Sequence, residues 1–289
     1  MPAGPLKQKG WTKLTVSYPD PEVVEAILGI CRFGARIGYE HHRTSITIYP
    51  NLTSVLDNSA TVTREMQKEV AMNRLECYEG YSTLPQHFTS SPLGLTDKSD
   101  GSKRRIHHLS FPANDSLSIN SGIPEQYGTI VYSRISEAIS SIQRFGRGSI
   151  LVKRDFENAF RHIPISPEDS PLLGLEWQGR YYSEHFLPFG LRTAPYLFNL
   201  FAEVFHWIVA HDLQSRGIPG EIVHYLHDFL AILPPHGNPD AYGKRFAELC
   251  GTVGLSIKES KSEEGTTVDF GGVEIDTGKM VIRLPAKKL

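Results

Sequence analysis

The chain has 289 residues, enough to bury a sizeable core in one or two domains. Hydrophobic residues make up 40% and charged residues 21%, the balance of an ordinary soluble globular protein, and no apolar run is long enough to span a membrane. A formal net charge of -2 excludes a wholesale polycation, so any contact with nucleic acid must come from local patches.

Cys31, Cys77 and Cys250 are too scattered for a disulfide framework and read as reduced thiols of an intracellular protein, in cytoplasm or nucleus. The start, Met1-Pro2-Ala3-Gly4-Pro5-Leu6-Lys7, lacks the apolar core of a signal peptide. Without one, the glycosylation patterns at Asn51 and Asn114 read as chance.

Residues 1–20 are polar with scattered prolines and are expected as a loose arm. From Pro21 the pattern changes: Val23, Val24, Ile27, Leu28, Ile30 and Cys31 recur at helical spacing, with Pro21 suited to the first turn and Gly34 or Gly38 to the end. Residues 45–49 alternate weakly as a short strand. Residues 63–79 read as a second helix with Met66, Val70, Leu75 and Cys77 near one face and Gly80 as its stop.

Residues 84–120 are turn-rich, and basic residues gather there: Lys98, Lys103, Arg104 and Arg105. Asp100-Gly101 between short extended runs reads as a hairpin whose basic flank suits phosphates; a solvated charged turn fits as well. Residues 130–145 follow as a helix. The apolar run Ile150-Leu151-Val152 suits a buried strand, and Asp155 falls at its end, a common place for a functional carboxylate in sheet proteins. Residues 172–177 and 180–186 straddle Gln178-Gly179, a two-residue hairpin signal.

Next comes Leu187-Pro188-Phe189-Gly190-Leu191-Arg192-Thr193-Ala194-Pro195, leading into a long amphipathic helix over 194–214. Residues 222–233 place two β-branched and aromatic runs around His227 and Asp228, with no room for a helix, so a hairpin with both polar side chains at its turn is expected. A carboxylate at the tip of a buried hairpin is costly unless a partner, often a metal, compensates it. Taken alone, an ordinary turn aspartate between core strands is the plainer reading. A helix over 240–253 and strands over 268–275 and 280–284 close the chain, whose ending looks like a break before another domain.

Four stretches, Asp155-Phe156-Glu157-Asn158-Ala159-Phe160, the 187–195 segment, Tyr225-Leu226-His227-Asp228 and Asp269-Phe270-Gly271-Gly272-Val273-Glu274, together with Ser91-Pro92-Leu93-Gly94 through Ser110, resemble reverse transcriptases in the family's order. The wording is closest to enzymes of fungal retrotransposons. The resemblance implies an α+β fold, the fingers and palm of a right-hand polymerase with a palm of ferredoxin-like type. It places an N-terminal arm and helical extension at 1–83, fingers at 84–149 and palm at 150–289, with the thumb cut off.

The same resemblance implies an RNA-directed DNA polymerase acting on an RNA or DNA template-primer and deoxynucleoside triphosphates, with no membrane partner. Asp155 and Asp228 are implied as ligands of Mg2+ (or Mn2+), and Lys261, a weaker match, as the group protonating pyrophosphate. Lys98, Arg104, Phe156, Ala159, Phe160, Phe189, Gly190 and Tyr225 are implied around the nucleotide, Phe160 as the gate against a ribose 2′-hydroxyl; a core phenylalanine is its plainer reading. Phe270 and Gly272 are implied in the hairpin that holds the primer end, although Gly271 stands where a leucine is usual.

The family's hairpin reads tyrosine, any residue, aspartate, aspartate, so His227 stands for the first aspartate. Imidazole is a poor ligand for magnesium and brings no negative charge. His108 likewise stands where relatives more often have aspartate. Polymerase activity is therefore expected to be lost or weak. A non-catalytic nucleic-acid-binding or scaffold protein of the same descent is the alternative, and a nucleotide cyclase is disfavoured by the order of the motifs.

Overall fold

The computed structural model describes residues 4–43, 45–97, 101, 103–113, 117–130 and 135–285. The chain divides into two units: Met1–Gly4, Gly29–Thr129 and Phe160–Leu197 form the first, and Pro5–Leu28, Ile130–Ala159 and Phe198–Leu289 the second. Lys98, Asp100 and the pattern at Asn114 lie outside the described residues.

In the second unit the β-branched run at 150–152 forms the strand Ile150–Asp155, which pairs with Asp228–Leu233 on one side and Glu263–Gly265 on the other; Glu221–Tyr225 lies outside Asp228–Leu233. All pairings are antiparallel, and in chain order the strands lie 4-1-3-2. With helices Ala194–Ser215 and Pro239–Val253 as connections, this is the βαββαβ arrangement of ferredoxin-like sheets.

Side-chain alternation gives the sheet two apolar faces. Leu151, Leu230 and Ile232 pack with Ala138, Ile142, Val268 and Phe270. Phe229 points the other way, into rings of Phe156, Phe205 and Phe246. Each such buried side chain contributes about 1.5–3 kcal/mol, so the sheet is held firmly on both sides.

Local chemistry sets the boundaries of Pro239–Val253. The Asn238 side chain accepts a hydrogen bond from Ala241 N at 3.0 Å, Pro239 takes the first turn, and Gly254 ends the helix in the left-handed region. Residues 8–14, expected within a loose arm, are instead the helix Gln8–Leu14. Lys7 N donates to Val253 O, and Trp11 is fully buried with its ring 5.2 Å from that of Phe201. Tertiary burial of one indole orders a segment too short and polar to carry a helical period.

In the first unit five strands lie in the order Thr47–Ile48, Thr89–Ser90, Gly174–Trp177, Arg180–Glu184, Leu75–Tyr78, and a separate hairpin pairs Leu93–Asp97 with Lys103–His107. The helix expected over 63–79 is instead Ser59–Ala71 followed by the strand Leu75–Tyr78. Asn73 takes a positive φ of 55°, a conformation asparagine tolerates better than most, and the chain turns there to pair with Arg180–Glu184. The run over 268–275, a strand by its pattern and a hairpin at Phe270-Gly271-Gly272 by family resemblance, is the hairpin, Thr267–Phe270 with Val273–Asp276, turning on Gly271 and Gly272 at φ 58° and 86°. The fold class is α+β, as expected.

Candidate active site

Asp155 ends its strand and Asp228 begins the neighbouring one, and the two are direct partners across the ladder. The backbone around them is pinned: Lys258 N donates to Asp155 O at 2.7 Å, Glu157 N to Ser256 O at 2.8 Å, and Phe156 N to His227 O at 3.1 Å. Leu226 and His227 form the two-residue turn between Tyr225 and Asp228. Leu226 has φ 53° and His227 no positive φ, the φ pattern of a type II′ turn, which ordinarily takes glycine at its first position. A leucine held there stores on the order of 1–3 kcal/mol of backbone strain.

Asp155 is 3% exposed, and Lys261 Nζ donates to its Oδ2 at 2.9 Å from the 3-10 turn Glu259–Lys261. His227 Nε2 lies 3.9 Å from the same oxygen, too far for a hydrogen bond. Asp228 Oδ1 and His227 Nδ1 are buried without a hydrogen-bond partner. Burial pushes the Asp228 carboxyl above the usual carboxylate range; the Asp155 carboxylate adds to the rise, while His227 and Lys153 oppose it.

Asp155, His227 and Asp228 each offer a ligand atom, all within 4.8 Å of one another. The orphaned Asp228 oxygen and the facing carboxylates suit one divalent cation. They do not suit a pair of all-oxygen magnesium ions: among the described residues two carboxylates converge, one is engaged by Lys261, and the third donor is a ring nitrogen.

Tyr225 is 41% exposed and sits opposite Asp228 in the hairpin. The Phe156 ring is core: it is 2% exposed among Phe198, Phe205, Phe229 and Phe246, so the ring is not available to a ligand. Ala159 is buried, as is Phe270, which packs into the core beneath the sheet, while Gly272 lies in the hairpin turn after it.

The remaining expected residues belong to the first unit. The Arg104 guanidinium sits over the Phe189 ring, 5.4 Å from its centroid, and the rings of Phe189 and Phe160 are 5.3 Å apart. Phe189 is 38% exposed, so this guanidinium–ring–ring series presents both charge and an aromatic face. Gly190, at φ 102°, lies against the backbone, where a Cβ would meet His107 O at 2.4 Å; only glycine fits.

Asn120 was not anticipated. It donates to Gly190 O and accepts from Arg192 N, both at 2.8 Å, and so fixes the loop that presents Phe189. Asn120 lies in a turn-rich stretch with no period to mark an inward residue. A signal did exist for Glu184: it follows Tyr182 at the two-residue spacing of a strand's inner face, where a carboxylate demands a buried cation.

A ferredoxin-like sheet that brings two carboxylates to facing strand ends, one beside a hairpin turn, defines a palm of the polymerase type. The sequence profile described as reverse transcriptase (RNA-dependent DNA polymerase) matches residues 103–275, and the chain belongs to this family.

Among solved structures, a foamy viral protease-reverse transcriptase in complex with double-stranded DNA superposes with a TM-score of 0.59 at 15% identity, over 97% of this chain and 47% of that one. The foamy viral enzyme with an RNA/DNA hybrid gives 0.58 at 15% identity, over 97% and 36%. The native prototype foamy virus enzyme gives 0.54 at 19%, over 97% and 36%. The chain spans less than half the length of these proteins, and at such identities the likeness establishes the fold, that of a reverse transcriptase polymerase. No curated protein sequence matched. Among the described residues no helix is long and apolar enough to cross a membrane.

Proposed function

We propose that this chain is the fingers-and-palm part of a retroelement reverse transcriptase, related to those of fungal retrotransposons, in which nucleotidyl transfer is lost or strongly impaired. On this reading residues 84–149 serve as fingers, 150–289 as palm and 1–83 as an extension. The partners are an RNA or DNA template-primer and deoxynucleoside triphosphates, within cytoplasm or nucleus. Arg104 and Lys98 meet phosphate, the Phe160 and Phe189 rings meet sugar and base, Gly190 allows close approach, and Phe270-Gly271-Gly272 meets the primer end.

The observation that carries the impairment is the environment of Asp155. In polymerases of this kind two divalent ions activate the attacking oxygen and neutralise the leaving phosphates. Here His227 takes the place of a carboxylate, and its imidazole brings no negative charge to the site. Lys261 holds the Asp155 oxygen that faces it. Loss of a carboxylate ligand costs at least about 10–100-fold in affinity or activity, the range known even for outer-shell partners.

Primer extension on an RNA or DNA template, with magnesium and with manganese, is expected to give little or no product, and His227→Asp is expected to raise it. Robust extension by the unaltered chain sinks the proposal. Two outcomes support the second reading, a non-catalytic nucleic-acid-binding protein: salt-sensitive duplex binding that survives Asp155→Ala, and binding that weakens with Arg104→Ala. The Arg104–Phe189 pair favours it, because that surface needs no metal.

A further inference from the structure

We propose that Asp155, Asp228 and His227 form a mononuclear site for Zn2+ in preference to Mg2+, with Lys261 as the internal cation that occupies it until metal binds. The placement of the hairpin beside Asp155 underlies both this inference and the palm reading, but the inference needs no polymerase activity.

Three observations converge. Asp228 Oδ1 is buried with no hydrogen-bond partner, and a buried polar atom left unpaired is costly unless a ligand satisfies it. His227 Nε2 stands 3.9 Å from Asp155 Oδ2. That separation is too long for a hydrogen bond, but two ligands on one ion at bonds of about 2.0–2.1 Å lie roughly 3–4 Å apart. Lys261 Nζ sits 2.9 Å from the same Asp155 oxygen, a positive charge already drawn to the place where a cation would sit.

The donor set decides which cation. Magnesium takes oxygen ligands in near-octahedral geometry and dehydrates reluctantly, whereas imidazole suits zinc and its transition-metal neighbours. One imidazole and two carboxylates are three protein ligands, the number zinc takes when a fourth position is left to water. The charge is consistent as well: two carboxylates are half neutralised by Lys261, and a dication that displaces the ammonium completes the neutralisation.

The test uses the purified chain, stripped with chelator, titrated with ZnCl2 and with MgCl2, and with Co2+ as a spectroscopic probe of the ligands. One zinc per chain is expected to bind at least about tenfold more tightly than magnesium, and Co2+ to give a visible absorption band. His227→Asn should weaken zinc by about 10–100-fold and abolish the band, and Asp155→Asn should do the same. His227→Asp should shift preference towards magnesium, and Lys261→Met should tighten zinc by removing its competitor.

With twelve histidines in the chain, stray zinc sites are the rival account. Zinc binding unchanged in both His227→Asn and Asp155→Asn means an adventitious ion only and overturns the inference, as does equal affinity for the two metals. Each variant is first matched to the parent chain's melting temperature in chelator; one that fails is replaced by His227→Gln or Asp155→Ala and read the same way. Duplex binding in chelator, measured by fluorescence anisotropy on the same preparation, separates the two readings. Zinc binding without duplex binding sinks the reverse-transcriptase reading and leaves the site, and the reverse sinks the site alone.

Discussion

Glu184 in the first unit and Asp228 in the second are both carboxylates in strands, and their surroundings push them in opposite directions. Glu184 is fully buried, yet Arg161 Nη1 lies 2.6 Å from its Oε2, and Arg161 and Arg105 each place a nitrogen 3.3 Å from its Oε1. Burial alone would raise its pKa, but the two guanidinium groups win and hold it below the usual range. Asp228 has burial and another carboxylate against it, one oxygen without a partner, and a raised pKa. A buried charge whose partners are complete holds a fold together. One left incomplete is open to a ligand.

The sharpest way to break that comparison is Glu184→Gln. It removes the charge that Arg161 and Arg105 share and leaves buried guanidinium groups facing a neutral amide, for which a loss of about 3–5 kcal/mol is expected. Urea denaturation of the variant against the parent chain measures it. A loss below about 1 kcal/mol would mean that the network is no more than a surface pair.

The contrast also marks what could be read in advance. The hairpins at 172–186 and 222–233, the long helix from Ala194 and the strand ending at Asp155 follow from hydrophobic period and turn residues, which are local. The pairing of Asp155 with Asp228 across 73 positions is legible only through family likeness, since no local rule sets strand order. The Asn120 anchor leaves no such mark, because it joins residues distant in sequence through buried polar contacts, and the two-residue spacing of Glu184 from Tyr182 marks an inward carboxylate without naming Arg161 as its partner. Trp11 shows the same limit for an apolar residue. The burial of Phe156 was hidden for another reason: beside a site aspartate, a core ring and a ligand-facing ring look alike in sequence.

A second prediction sharpens the comparison within the second unit by using pH. His224 is buried, its ring stacked 4.9 Å from that of Phe229 and its Nδ1 2.8 Å from His206 Nδ1. Burial first, and then His206, lower its pKa to about 3. Between that value and the unfolded value near 6.5 the unfolded chain binds more protons, so stability falls as pH drops through this window. The slope approaches about 1.4 kcal/mol per pH unit, or at most about 2.7 kcal/mol from pH 6.5 to 4.5. Glu203, 3.6 Å from His224 Nε2, takes back part of it once the ring is charged. Chemical denaturation across that range should show the slope, and His224→Gln should flatten it. For Glu184 the depressed carboxyl pKa adds its own loss only below the usual carboxylate value, which separates the two groups by pH.

The smallest effect is expected at Asp228, and it carries the most information. Asp228→Asn keeps the shape, removes the Asp155–Asp228 repulsion that raises the carboxyl's pKa and leaves a neutral amide where a carboxylate oxygen had no partner. Stability should therefore stay within about 1 kcal/mol of the parent chain, or rise. The contrast with Glu184→Gln is the point, because two similar substitutions of carboxylates separate by the completeness of their partners. Denaturation in chelator is the measurement, since any bound cation would add its own stabilisation to the parent. A loss of several kcal/mol at Asp228 would mean that the Asp155–Asp228 contact holds the two strands together, and that the orphaned oxygen is structural after all.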